Sequence, residues 1–210
     1  MLAGIPRQKR RKSIVAELKL ETGKTALLMA DFHTDSMGEN PIVRERQTFE
    51  RAKEVLEAAR DAGVFVAYIV VNFRPGFPEI SDLNKTFRAR KTAGQSPARD
   101  PLELIHPTVS PRQDEPVIVK RRVNAFFGTD LDVILRSQGV DTLILMGHAT
   151  SGVILSTVRY AADADYQLIV VEDGCADRDP EVHTLLMEKI FPRQATITNS
   201  IEAVKALAAS

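Results

Sequence analysis

The 210-residue sequence predicts an α/β fold, a three-layer sandwich whose six-stranded parallel sheet is flanked by helices, Rossmann-like in layout. Three observations carry that expectation. Short continuous apolar runs of strand length alternate with longer segments of helical period. The runs lack an in-out alternation, as strands covered on both faces do. No internal repeat interrupts the series.

Residues 25–31, Thr-Ala-Leu-Leu-Met-Ala-Asp, form the first such run and end in an acid. Residues 47–62 place Phe49, Ala52, Val55, Leu56 and Ala59 at spacings of three and four, an amphipathic helix that Gly63 stops. Residues 64–71 read as the second strand. Residues 73–116 carry seven prolines, at 75, 78, 97, 101, 107, 111 and 116, without a clear period. An unstructured connection of this length in a compact domain is usually functional, and it is read as a lid-like insertion. Strands follow at 117–120, 141–146, 167–172 and 196–198. Helices are expected at about 129–138, 151–164 and 180–190, with a closing helix after the strand at 196–198 that runs to the C-terminus.

The domain division expected is an N-terminal arm over residues 1–23 and one domain over 24–210. With 44% hydrophobic residues that domain can bury a substantial core. Formal net charge is zero, so no global field favours nucleic acid or an anionic membrane. The basic run Arg7, Lys9, Arg10, Arg11 and Lys12 is read as a solvated or subunit-packed arm. No apolar run approaches the roughly 18 residues needed to cross a bilayer, and the N-terminus lacks a signal-peptide apolar region. A cytoplasmic protein is expected, with no nucleic-acid or membrane partner.

In open parallel sheets, ligands sit at the carboxyl ends of the strands where the strand order reverses. Polar residues at those ends are the site candidates. Asp31 closes the first strand and Lys120 the third. Burial disfavours a lone carboxylate, and Lys120 supplies the cation that would accompany it. Such a pair is either a general acid–base unit with an electrostatic partner or a structural ion pair. His33 and Asp35 follow Asp31 as D-x-H-x-D, which in extended backbone would share one face. The other histidines, His106, His148 and His183, stand alone, so the ligand count points to no metal and no cofactor.

Residues 147–152, Gly-His-Ala-Thr-Ser-Gly, join the fourth strand to a helix. Backbone N–H groups of such a turn can hold a carboxylate, a phosphate or a developing oxyanion. Thr150 or Ser151 serves equally as an ordinary N-cap. Cys175, the only cysteine, lies among the acids Glu172, Asp173 and Asp177 and is read as packed and inert.

Asp31 after Ala26-Leu27-Leu28-Met29-Ala30, Lys120 at the head of residues 120–131, and Gly147-His148-Ala149-Thr150-Ser151-Gly152-Val153 resemble the isochorismatase-like hydrolase family. The resemblance extends over about residues 24–200. It implies hydrolysis of a small-molecule substrate, a homodimer or homotetramer, and a cis peptide between His148 and Ala149. It places the family's aspartate at Asp31, its lysine at Lys120 and its nucleophilic cysteine at Val153.

Valine cannot attack a carbonyl, so the acyl-thioester route is closed there. The family's isochorismatases also lack the cysteine, because an enol ether is cleaved by protonation and water addition. The resemblance therefore implies Asp31/Lys120 acid–base chemistry without a thiol, on an enol ether such as isochorismate. Two other readings stand: an amidohydrolase with a non-cysteine nucleophile, and a catalytically silent binding protein. The ligand-binding turn comprises His148, Ala149, Thr150, Ser151 and Gly152. His33, Phe73, Arg74, Phe77, Asn124 and Phe127 are candidates to line the pocket.

Overall fold

The computed structural model describes residues 18–94 and 100–210. The basic run at 7–12 and most of the expected arm lie outside the described residues. Leu18 and Leu20, at the end of that arm, pack against the core.

Six strands form one parallel sheet: β1 (Thr25–Ala30), β2 (Phe65–Val71), β3 (Val117–Lys120), β4 (Thr142–His148), β5 (Gln167–Ala176) and β6 (Thr196–Thr198). Their spatial order is β3-β2-β1-β4-β5-β6. All six residues of β1 are buried, and successive side chains enter opposite layers. Ala26, Leu28 and Ala30 join one core, and Leu27 and Met29 the other. β4 divides in the same way, with Leu143 and Leu145 on one face and Ile144 and Met146 on the other.

Helices cover the Leu27 face. α2 (Thr48–Asp61) buries the five apolar residues its spacing predicts, and α7 (Ser200–Ala208) adds Ala203 and Leu207. The opposite face is covered by α4 (Leu131–Ser137) and α5 (Leu155–Asp163), through Leu131, Leu135, Val158 and Ala161. α6 (Pro180–Leu185) continues through a wide turn at Leu186–Ile190 that adds Leu186 and Met187. Among the described residues no helix is long and apolar enough to cross a membrane.

Several boundaries differ from the sequence expectation, each for a local reason. A short helix α1 (Pro41–Glu45) precedes α2, started by Asn40, whose side chain accepts from the Ile42 N–H at 3.0 Å, with proline at the first position. β5 runs to Ala176, not Glu172. The side chains of Glu172 and Asp173 leave the apolar pattern to make polar contacts, and the strand resumes beyond a register shift, pairing Cys175 with Gly147 and Ala176 with His148. That pairing also carries β4 past Met146. The helix expected from Ser151 opens instead as a wide π turn, Thr150–Ile154, and becomes α-helical at Leu155.

The insertion at 73–116 is not one unstructured cover. Its first part holds a helix, α3 (Lys85–Thr92), and a small apolar cluster of Phe73, Phe77, Ile80 and Phe87. Its last part belongs to the body: Leu104, Ile105 and Val109 enter the α2-side core, and Ile105 bridges His33. An ion pair seats this segment ahead of β3. Arg60 of α2 donates from Nε and Nη2 to both carboxylate oxygens of Glu115, each at 2.7 Å, and both side chains are buried.

Candidate active site where the strand order reverses

β1 and β4 are neighbours, but the chain leaves β1 toward β2 on one side and leaves β4 toward β5 on the other. The crevice between their carboxyl ends is where such sheets take ligands. Asp31 stands there, one residue past β1, with a φ of 53° that aspartate tolerates better than most side chains. Its backbone N–H donates to Ile69 O at 2.8 Å. Its Oδ2 lies 2.8 Å from Lys120 Nζ, and its Oδ1 accepts from the Val71 N–H at 2.9 Å. Lys120, the last residue of β3, is buried and also donates to Arg122 O at 3.3 Å. Three strands thus converge on one carboxylate.

His33 is 4% exposed, and its Nε2 lies 3.5 Å from Asp31 Oδ1. Burial holds its pKa below 6.5, with Asp31 working in the opposite direction. Asp35 does not join them. The left-handed turn at Asp31 ends the alternation, and Asp35 is exposed, accepting from the Ser36 N–H at 2.6 Å. Among the described residues no group of three or more His, Cys, Asp or Glu is placed to hold a metal.

Gly147 has a φ of 151°, and a Cβ there would fall 2.0 Å from Ala30 O, so only glycine lets β4 approach β1 this closely. The His148–Ala149 peptide is cis. His148 is buried, with Nε2 3.4 Å from Asn40 Nδ2, and burial lowers its pKa. Asn40 also donates to Asp177 O at 3.2 Å. The turn's N–H groups are partly committed: Ser151 donates to Asp177 Oδ2 at 2.6 Å and Gly152 to Ala149 O at 3.0 Å. Neither Thr150 nor Ser151 caps the helix through its side chain.

The Thr150 side chain joins a chain of polar contacts. Its Oγ1 lies 2.8 Å from His183 Nδ1, His183 Nε2 lies 3.1 Å from Glu172 Oε1, and Arg46 Nη2 donates to that oxygen at 2.5 Å. The hydrogen bond from His183, with that from Arg46, draws Glu172 down to about 2. Asn40, Arg46, Glu172, Asp177 and His183 were not singled out from the sequence as site residues. The visible signals were Asn40-Pro41, a helix start, and Glu172 at the end of an apolar run.

Val153 is buried in the apolar core beside Ile154 and Val158. Cys175 is fully buried within β5, and burial pushes its thiol up to about 12. Neither position supplies a thiolate.

The pocket candidates divide into two groups. Phe73 and Phe77 pack with Phe87, at ring separations of 5.1 Å for Phe73 with Phe87 and 6.2 Å for Phe73 with Phe77. Arg74 is exposed, with Nη1 2.6 Å from Glu79 Oε1. Asn124 and Phe127 instead line a hollow of about 310 Å³ with Arg122, Val123, Ser156 and Tyr160. Asn124 is held there by its own bonds, donating to Ser156 O at 2.7 Å and accepting from the Phe126 N–H at 2.7 Å.

The isochorismatase domain matches residues 25–202. An uncharacterized isochorismatase family protein of Bacillus subtilis, YwoC, is 32% identical over 191 residues, covering 90% of this chain and 98% of that protein. Maleamate amidohydrolase of Pseudomonas putida is 29% identical over 158 residues, covering 75% of this chain and 73% of that one. Among solved structures, N-carbamoylsarcosine amidase from Thermoplasma acidophilum superposes with a TM-score of 0.67 at 28% identity, covering 84% of this chain and 96% of that one. A six-stranded parallel sheet with these neighbours, and a domain match that takes in Asp31, Lys120 and the β4 turn, place the chain in the isochorismatase family.

Proposed function

We propose that the protein hydrolyses a small molecule through Asp31 and Lys120, with water as the nucleophile, on an enol ether such as isochorismate. The observation that carries this reading is the 2.8 Å contact of Asp31 with Lys120 at the strand-order reversal, together with buried Val153 in the turn between β4 and α5. An enol ether needs no acyl acceptor. Asp31 gives a proton to the vinyl carbon, water adds to the resulting oxocarbenium and returns a proton to the carboxylate, and the hemiketal opens to a ketone and an alcohol. Lys120 keeps the carboxylate in place through the cycle.

Amide hydrolysis is the second reading, favoured by the named activities of the relatives above. Water would attack the carbonyl, with Asp31 taking its proton and passing it to the leaving nitrogen. Three arginines gathered on Glu79, two of them directly following Lys120 in the chain, leave an excess of positive charge that suits a carboxylate-bearing substrate in either case. Arg74 and Arg121 share the single carboxylate of Glu79, and Arg122 donates to the Glu79 backbone at 3.1 Å.

The deciding experiment follows pyruvate release from isochorismate and ammonia release from maleamate and N-carbamoylsarcosine, with wild type beside Asp31→Asn. Pyruvate from the wild type, reduced about a hundredfold or more in the variant, is expected. Ammonia alone replaces the enol-ether reading with amide hydrolysis. No product from any substrate rejects both and leaves a silent binding protein. We also propose a homodimer or homotetramer, supported by the exposed rings of Phe127 and Tyr160 beside the hollow. Light scattering that returns a monomer rejects it.

A further inference from the structure

One buried titratable side chain beside Asp31 has no task in the reaction proposed above. Among the described residues His33 Nε2 has no hydrogen-bond partner, although the residue is almost wholly enclosed. Buried polar groups are paired about nine times in ten, so an orphaned ring nitrogen facing a carboxylate needs an explanation. The contrast within this chain is His183, equally buried, whose two ring nitrogens are both engaged, by Thr150 and Glu172.

The two oxygens of Asp31 differ in surroundings. Oδ2 lies against the Lys120 ammonium, so a proton carried by Asp31 is favoured on Oδ1. Oδ1 accepts the Val71 N–H and has His33 Nε2 at 3.5 Å. Either the ring carries its hydrogen on Nε2 and aims it at Oδ1 across a long contact, or two acceptors face each other and one shared proton satisfies both. Contacts of this kind are often long before substrate binds and shorten in the reacting complex.

We infer that Asp31 and His33 form one proton-sharing pair, in which His33 Nε2 is the second seat of the proton that Asp31 moves. This rests on the acid–base reading of Asp31. In hydrolysis of an amide, the water oxygen bonds to the carbonyl carbon while its proton passes through Oδ1 to Nε2. The proton returns through Oδ1 to the leaving nitrogen as the carbon–nitrogen bond breaks. For an enol ether the order reverses: the pair first takes up one proton from solvent, gives it to the vinyl carbon, and recovers one from the water that adds. Water is added, and nothing is oxidised or reduced.

The charged groups facing His33 come from every side. Asp31 beyond β1 and Asp35 in the following turn favour the imidazolium, Lys120 of β3 and Arg90 of α3 oppose it, and burial opposes it most. His148 at the end of β4 is the nearby second imidazole, and the two rings disfavour each other's charge. Burial therefore favours the neutral ring, which can take up a proton that passes through Asp31 Oδ1.

The test is a pH titration of the histidine ring signals by NMR, with His33 assigned by His33→Gln, alongside kinetics. Asp31→Asn removes a charge that favours the imidazolium, so the His33 midpoint should fall by about one pH unit or more. Lys120→Gln removes an opposing charge, so the midpoint should rise. His106, on which Glu50 and burial act and neither Asp31 nor Lys120 does, is the internal control. If Asp31→Asn does not fold, the rise in Lys120→Gln decides. A His33 midpoint unmoved in both variants overturns the pair.

In turnover, His33→Gln should lower kcat at least tenfold with KM within about twofold and flatten the acid limb of the pH–rate profile. Unchanged kcat and profile also overturn the pair. A wild type inert toward all three substrates rejects the hydrolase reading instead, and the NMR titration then judges the pair by itself.

Discussion

Lys120→Met removes the ammonium from beside Asp31 while keeping a side chain of similar length. At 2.8 Å and an effective dielectric of about 20, the pair attracts by about 6 kcal/mol, against which stands the cost of taking both charges out of water. The Asp31 side chain is 12% exposed, so losing its partner strands a nearly buried carboxylate. Removing one member of a buried pair typically costs about 3 to 5 kcal/mol, and about 3 is expected here because some water still reaches Asp31 and the Val71 N–H remains bonded to Oδ1. Asp31→Asn should cost a similar amount, since it strands Lys120. The double variant strands neither charge and should lose about 2 kcal/mol less than the two single losses together. Urea unfolding of the four proteins measures this as midpoint shifts at constant slope. Losses that add within about 0.5 kcal/mol would show that the two charges are not coupled, and would remove the basis for treating them as one unit.

Four further outcomes are expected. Gly147→Ala should destabilise by about 3 kcal/mol or more, because the added methyl meets Ala30 O at 2.0 Å and both strands must move; thermal unfolding measures it. Thr150→Val should cost about 1 to 3 kcal/mol by leaving His183 Nδ1 buried and unpaired, and Thr150→Ser should recover most of that in the same assay. Glu172 is lowered from 4.5 to about 2, so its contribution is complete above about 4.5 and is lost as pH falls toward 2; Glu172→Gln should flatten the stability–pH curve in that window, weakly, because the side chain is 37% exposed. Val153→Cys should raise ammonia release from maleamate at least tenfold over the parent, and a mutant that gains nothing would show that this turn does not present a side chain to substrate.

The strands were legible because each is a short apolar run, and Asp31, Lys120 and Glu172 marked where three of those runs gave way to polar chemistry. Asp31 and Lys120 could be paired in advance because both close strands of one parallel sheet. What could not be read was contact between distant segments. The register shift in β5 depends on the side chains of Glu172 and Asp173 finding Arg46, His183 and Ser200, and no periodicity encodes those partners. Residues 101–109 read as loop because their prolines break every period, yet Leu104, Ile105 and Val109 are core. His33 was visible as a residue near the site, but its unpaired nitrogen emerged only with the surrounding chain in place.

The position of β3 at the margin of the sheet has a consequence for the whole molecule. A four-residue strand with one side unpaired among the described residues is where a sheet begins to peel and where a foreign strand can add. Here Arg60 grips Glu115 just before the strand begins, and Asp31 grips Lys120 at its last residue. A slip of even one residue would break both grips together and turn Lys120 to the other face of the sheet. The ion pair at the carboxyl end of β1 thus doubles as the far anchor of the exposed edge. Solubility and activity should consequently fail together when either acid is replaced, Asp31 directly and Glu115 from the opposite end of the strand.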